Sequence, residues 1–355
     1  MPIATEPIGS IPRPPRLIQA TRDLEAGGIT ASEYDVILDE SIRDTIVRFE
    51  ATGSPVITDG EQGKPSFATY PIHGLHTLAP YGVTIPFADG HTRQLPRLTA
   101  GPFHYTTRAD VYLDRARQHA RMPLKQAVIS TSALSLLYPQ AGLEGYSREQ
   151  FLDDLVSEAE TEIRDCLRKG AHAVQIDFTE ARLSLKLDPS KQLLRSFVDL
   201  NNRVLDRFSP DERTGIGVHT CPGGDQDSTH SADVDYADLL PDLFNLHAGR
   251  FYVQLASEPN RRRVLGIIRE QAKPDALIYV GVTDPIDPNI ESPDQVRDRV
   301  LEAAEYIPVD RLGTTDDCGF APFGDDISTA RDTAFQKIRA RVVGTDMAAR
   351  HLGVA

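Results

Sequence analysis

Three segments of this chain carry the residue types that metal and thiol chemistry require. His219-Thr220-Cys221 closes one β-branched run, Asp316-Asp317-Cys318-Gly319 closes another, and Glu258 follows a third in Ala256-Ser257-Glu258-Pro259. An imidazole and two thiolates are donors that Zn2+ prefers, and His-x-Cys on an extended turn lets both side chains reach one ion. A carboxylate oxygen from Glu258 would add a fourth donor at the same rim. Read without a metal, the same residues are buried free cysteines, a hydrogen-bonded histidine and an acid suited to the positive end of a helix over 260–268. The third cysteine, Cys166, stands apart. Three cysteines this scattered make no disulfide framework in a chain of 355 residues.

Whether such distant residues meet depends on the elements that carry them. Short apolar runs at Ala127–Thr131, Ala173–Phe178, Gly215–His219, Phe251–Ala256, Leu277–Val282 and Arg311–Thr315 read as strands buried on both faces. Val56–Thr58 and Arg97–Ala100 bring the number to eight. Amphipathic stretches fit between them. The clearest is Ser147–Lys169, where Phe151, Leu155, Ala159, Ile163 and Leu167 recur every four residues, Ser147 caps the start and Gly170 follows the end. Ser292 opens another helix, and the last begins near Asp326 or Ser328. This alternation predicts an α/β fold, a (β/α)8 TIM barrel formed as a single domain over 1–355, with a doubly wound open sheet as the alternative. No GxGxxG or P-loop lysine motif favours the open sheet. In a barrel the carboxyl ends of all strands open on one face, where His219, Cys221, Glu258 and Cys318 can converge. Lys64–Pro96 is too long for an ordinary connection and is expected to be an inserted hairpin or lid near the barrel mouth.

With 38 Lys+Arg against 52 Asp+Glu the formal charge is -14, which disfavours nucleic acid as a partner. No run approaches the 18 apolar residues of a membrane span, and the first twenty residues lack the apolar core of a signal peptide. The expected location is the cytoplasm, with small molecules as partners and the oligomeric state open. The oxygen-rich loop 223–235 after Cys221 reads as a solvated acidic loop that caps the next helix, with a second cation as the sharper alternative. Arg261-Arg262-Arg263 reads as surface pairing with excess carboxylates.

The order His219-x-Cys221, a strand-end glutamate and Asp317-Cys318-Gly319 resembles the catalytic barrel of cobalamin-independent methionine synthases, a fold shared with uroporphyrinogen decarboxylases. Ile8-Gly9-Ser10, Asp59-Gly60-Glu61, and the stretch from Gly281-Val282-Thr283-Asp284 to Cys318 are similar too, so the likeness covers nearly the whole chain. The resemblance implies zinc-dependent transfer of an alkyl group, usually methyl, to a thiol, most directly homocysteine giving methionine. It also implies that backbone groups of Ile8, Gly9 and Ser10 hold the substrate carboxylate, while Glu61 and Asp177 meet its ammonium group. Two thiolates and a carboxylate around the metal would keep the substrate sulfur electron-rich while removing its proton.

The departures concern the other substrate. Folate-using members carry a tryptophan after the strand corresponding to Ala127–Thr131, and this chain has none. Their catalytic histidine falls here on Ile286, and where they have Ile-Asp-Glu-Pro this chain has Ile176-Asp177-Phe178-Thr179-Glu180. Their large N-terminal half has no counterpart. The family glutamate falls by strict register at Gln254 or Ala256, two to four residues before Glu258. The expectation is a donor other than, or in addition to, methyltetrahydrofolate. The alternatives are thiol addition to an epoxide or other activated carbon, a zinc- or thiol-binding barrel without turnover, and a metal-free decarboxylase in which Arg13 and Arg16 bind anionic substrate.

Overall fold

The six buried runs form the parallel strands of one sheet in a computed structural model that describes residues 3–354: Lys125–Ile129, Ala173–Asp177, Ile216–Thr220, Arg250–Val253, Leu277–Thr283 and Leu312–Asp316. A seventh strand, Ala4–Thr5, pairs in parallel with Gly313 and Thr314. At the far edge Ile57 makes one parallel bridge to Leu124 and accepts a backbone hydrogen bond from Lys125. The order around the sheet follows the chain, as a (β/α)8 barrel requires, with the eighth position reduced to Ile57. Every residue of the strands Lys125–Ile129, Ala173–Asp177, Ile216–Thr220 and Leu312–Asp316 is buried, because helices cover one face and the barrel interior the other.

Local sequence explains the helices between them. Ser147 and Gln150 form a reciprocal capping box for Arg148–Arg168, and Ser292 with Gln295 does the same for Pro293–Ala304. The last helix starts at Arg331 rather than near 326–328. Asp326 accepts the backbone N–H and hydroxyl of Ser328 and so closes a local turn that precedes the helix.

Arg97–Ala100 is not a barrel strand. Arg97–Leu98 pairs antiparallel with Leu78–Ala79, and the barrel takes Ala4–Thr5 instead. Two residues are too short a run for alternation to distinguish the two cases. Segment 64–96 itself contains a hairpin, Thr84–Pro86 against Thr92–Gln94. Among the described residues no helix is long and apolar enough to cross a membrane.

The amino-terminal end of the barrel is closed by ionisable groups that satisfy one another. Glu6 accepts hydrogen bonds from Tyr252 (2.6 Å), Tyr279 (2.8 Å) and Arg250 (2.9 Å), with Lys125 at 3.7 Å. Lys125 donates to Gln175 at 2.8 Å and lies 4.0 Å from the Tyr252 ring centroid. Its charge hid the true start of the strand Lys125–Ile129 from a reading that looked for apolar runs.

Candidate metal and substrate site

At the opposite end, parallel register sets Asp177 beside His219, both near the carboxyl ends of their strands. Cys221 leaves the His219 strand one residue past its end, and Cys318 lies two residues beyond Asp316. The sulfurs of Cys221 and Cys318, ninety-seven residues apart in sequence, lie 3.0 Å from each other. One donor atom each from His219, Cys221 and Cys318 falls within 4.8 Å of the others, and all three residues are buried. Neither ring nitrogen of His219 has a hydrogen-bond partner among the described residues. An unpaired buried polar atom costs on the order of 1–3 kcal/mol, so an imidazole with two such atoms beside two thiols has the chemistry of a metal-ligand set. The fit to a soft divalent metal is therefore chemical as well as geometric. The S–H of Cys221 and the nearby imidazole hold the Cys318 thiol well below its ordinary range, while burial works against that charge.

The substrate-side candidates gather around these three. Ile8, Ser10, Glu61 and Asp177 line the same cavity as His219, Cys221 and Cys318. The Ile8–Ser10 segment is held against the Cys318 loop: Ser10 accepts from Phe320 N through its carbonyl (3.0 Å) and from Ala321 N through Oγ (3.2 Å). Gly319 permits this contact, since a Cβ there would fall 2.1 Å from Ser10 Oγ. Thr58 donates to the Gly9 carbonyl at 2.8 Å.

Glu61 has φ of 57°, a left-handed conformation uncommon outside glycine. Asp59 stabilises that turn by accepting its N–H at 2.8 Å. Backbone strain of this kind persists where surrounding structure enforces it, commonly at functional sites. The Glu61 carboxylate accepts from Lys64 at 2.8 Å, and Lys64 also donates to the Ala127 carbonyl. Burial opposes the Lys64 charge, but Glu61 beside it raises its pKa above the ordinary value. Burial also lifts Asp177 to about 6, with His219 and Lys64 pulling the other way and Glu61 adding to the rise.

Glu258 does not join the metal-type group. Its carboxylate accepts from Arg182 at 2.9 Å, and Arg182 also bonds Gln254 Oε1 (3.0 Å) and the Val234 carbonyl. A buried guanidinium needs a counter-charge, and Glu258 is the one within reach. Asp317 secures the adjoining segment by accepting the N–H groups of Leu255, Ala256 and Ser257, and the register positions 254 and 256 carry a glutamine and an alanine rather than a carboxylate.

The family model for the catalytic domain of cobalamin-independent synthases matches residues 1–336. The chain belongs to this family. A 5-methyltetrahydropteroyltriglutamate–homocysteine methyltransferase of Nitratidesulfovibrio vulgaris is 24% identical over 327 residues, which cover 89% of this chain and 38% of that relative. The chain thus spans well under half the length of that larger synthase. The uncharacterized protein YxjH of Bacillus subtilis, also 24% identical, matches 95% of this chain and 92% of its own length. Among solved structures, a B12-independent methionine synthase from Shewanella sp. W3-18-1 in complex with selenomethionine superposes over 100% of both chains with a TM-score of 0.76 at 16% identity. That likeness establishes the shared barrel.

Within this synthase family fold, several pocket groups carry no signal in the sequence reading. Glu180 lines the cavity, accepts from Ser130 at 2.6 Å and from Ser132, and keeps Oε2 unpartnered. Burial raises it to about 7 despite the two hydroxyls. Lys64 was legible only as the start of an insertion. The hairpin 84–94 contributes Ile85, Phe87 and Arg93, and with Val83, Leu95, Leu183 and Leu187 makes the outer wall predominantly apolar. Arg93 is held by Asp225 (2.5 Å) from the loop after Cys221 and by Asp325 (2.9 Å) from the loop after Cys318. The loop 223–235 is therefore more buried than a solvated acidic loop. It still caps the next helix, as Asp235 accepts from Ala237 N at 2.9 Å, and among the described residues it forms no cluster suited to a second cation. Arg261 and Arg262 pair with Glu302 and Arg263 with Asp235, the surface role expected of them. Arg13, proposed for an anionic substrate, is spent on the carbonyls of Ala321, Glu61 and Lys64.

Proposed function

We propose that this chain is a zinc-dependent thiol alkyltransferase that carries a methyl group to homocysteine and forms methionine. The observation that carries the reading is the buried trio of His219, Cys221 and Cys318, with sulfurs 3.0 Å apart and an imidazole unpartnered at both nitrogens. The three would hold Zn2+ through one imidazole nitrogen and two sulfurs. When bound, the metal supplies a Lewis acid that keeps the substrate sulfur ionised near neutral pH. The name of the Nitratidesulfovibrio relative and the selenomethionine bound by the Shewanella protein support an amino-acid thiol.

The chain's own residues set the rest. Backbone groups of Ile8, Gly9 and Ser10 receive the carboxylate of homocysteine. Asp177 and Glu61 receive its ammonium group, which would restore full ionisation to Asp177 by bringing a cation to a buried carboxyl. The hairpin 84–94, latched through Arg93, acts as a lid that excludes water from the attacking sulfur. These contacts place the sulfur in line with the carbon of the donor.

The donor side favours a second reading. Its wall of Val83, Ile85, Phe87, Leu183 and Leu187 is apolar, its Phe87 ring is already stacked on His91, and the cations Arg93 and Lys64 are engaged by Asp225, Asp325 and Glu61. Thiol addition to a compact electrophile such as an epoxide fits that wall as well as methyl transfer does. Elemental analysis of protein purified without added metal tests the core of the proposal. About one zinc per chain is expected, falling sharply in Cys318→Ser, together with methionine formed from homocysteine and a methyl donor. Zinc absent, or indifferent to Cys318, would remove the thiol-activation mechanism.

A further inference from the structure

The loop that leaves Cys221 brings a second histidine to the pocket. His230 is buried and lines the cavity with His219, Cys221, Cys318, Phe87, Leu183 and Leu187. Its placement is closely specified. The His230 backbone N–H donates to the Gly223 carbonyl (3.2 Å), and its ring meets Phe87 edge-on with centroids 5.6 Å apart. Nε2 occupies the space where a Cβ on Gly223 would fall, 1.8 Å away, so only glycine at 223 admits the ring. The next residue, Gly224, approaches both Cys318 Sγ and Ile286, with 4.0 Å and 3.8 Å to a Cβ placed there. His230 therefore lines the same cavity as Cys221 and Cys318, beside the apolar side chains of Phe87, Leu183 and Leu187.

The hydrogen-bond inventory assigns its tautomer. Ser231 is fully buried, and its hydroxyl has one partner among the described residues, His230 Nδ1 at 2.6 Å. A buried hydroxyl hydrogen needs an acceptor, so Ser231 donates to Nδ1 and the ring proton resides on Nε2. No described residue accepts from that N–H. Burial, with Lys186 and Arg182 nearby and Asp233 opposing them, lowers the imidazole pKa to about 4. The ring is thus a neutral donor at pH 7.

We propose that His230 Nε2–H is the hydrogen-bond donor to the leaving atom of the electrophile, a catalytic role for a residue of the loop after Cys221. The inference rests on the thiol-alkylation reading. The sulfur–carbon bond forms as the bond from carbon to the leaving atom breaks, and the electron pair goes to that atom. The leaving atom accepts the His230 hydrogen bond as its charge develops. The proton released from the thiol to solvent balances the one the departing group later takes from solvent. A leaving group that needs this stabilisation, such as the alkoxide of an opened epoxide, depends on His230. Iodide does not.

The test compares two electrophiles with the same thiol and the zinc-loaded protein. Homocysteine alkylation above the uncatalysed rate is measured with 1,2-epoxypropane and with methyl iodide for the wild type, His230→Phe and His230→Gln. The expected result is a loss of about 10²-fold on the epoxide in His230→Phe, with a change under about twofold on methyl iodide. His230→Gln, which retains an N–H donor, recovers about tenfold of the loss. Equal losses on both electrophiles would mark a structural role and overturn the proposal. So would an unchanged epoxide rate in His230→Phe, or a wild type that uses methyl iodide and leaves the epoxide untouched. A wild type inactive on both would instead sink the thiol-alkylation reading itself.

Discussion

The two ends of the barrel bury ionisable groups in opposite ways. At the amino-terminal end Glu6 has Tyr252, Tyr279, Arg250, His172 and Lys125 around it, and no polar side-chain atom of Glu6 or Lys125 lacks a partner. Burial opposes the Glu6 charge, but the hydrogen bond with His172 and the charges of Lys125 and Arg250 hold its carboxyl well below the usual range. At the carboxyl-terminal end both nitrogens of His219, one oxygen of Asp59 and one of Glu180 have no partner, and Asp177 and Glu180 sit above their ordinary values because burial dominates. A satisfied network rigidifies the fold, whereas one left open stores free energy that a ligand can recover. The difference separates a structural floor from a site, although Glu6, Asp177 and Glu180 are all buried carboxylates.

Breaking the floor should have the largest effect. Glu6→Ala leaves Lys125 and Arg250 as buried cations without their counter-charge, with an expected loss of about 3–5 kcal/mol in urea unfolding. Activity per folded molecule should survive. The Glu6 contribution is present above the ordinary carboxylate value of 4.5 and is lost as pH falls through the depressed folded value. A variant as stable as the wild type would show that the floor is incidental.

Glu180 reverses that sign. Its folded pKa of about 7 exceeds 4.5, so its stabilising contribution is complete below 4.5 and declines as pH rises through about 7. Glu180→Gln should therefore match the wild type near pH 4 and exceed it at pH 8 by roughly 1–3 kcal/mol. Thermal melts at the two pH values check this, and parallel curves would place Glu180 with the satisfied groups. The smallest change in metal content is expected at Glu258, which stands outside the donor trio. Because it neutralises Arg182, Glu258→Gln should keep its metal, while Cys318→Ser does not. Loss of zinc in Glu258→Gln would return this residue to the ligand set.

Much of the architecture was legible in the chain. The helix from Ser147 showed its period, cap and stop in local sequence, and the structure places it at Arg148–Arg168. Strand ends shifted by one or two residues where polar residues such as Lys125, Gln126 and Thr283 are buried inside the barrel. Ala4–Thr5 was missed because two residues carry no period. The site was legible where donor chemistry is specific: His219-x-Cys221 and Cys318 were marked by residue type. Glu258 was not settled that way, since a carboxylate suits a metal, a helix end or an arginine, and only the position of Arg182 chose among them.

Sequence by itself determined the alternation of strands and helices, the acidic charge and the soft donor set, because these follow from residue type and local spacing. Tertiary structure decided which donors meet, which carboxylates are left without partners and that His230 faces the same cavity as Cys318. Those outcomes depend on distances across the barrel mouth between residues remote in the chain, and on how many partners a buried polar atom finds once the barrel closes.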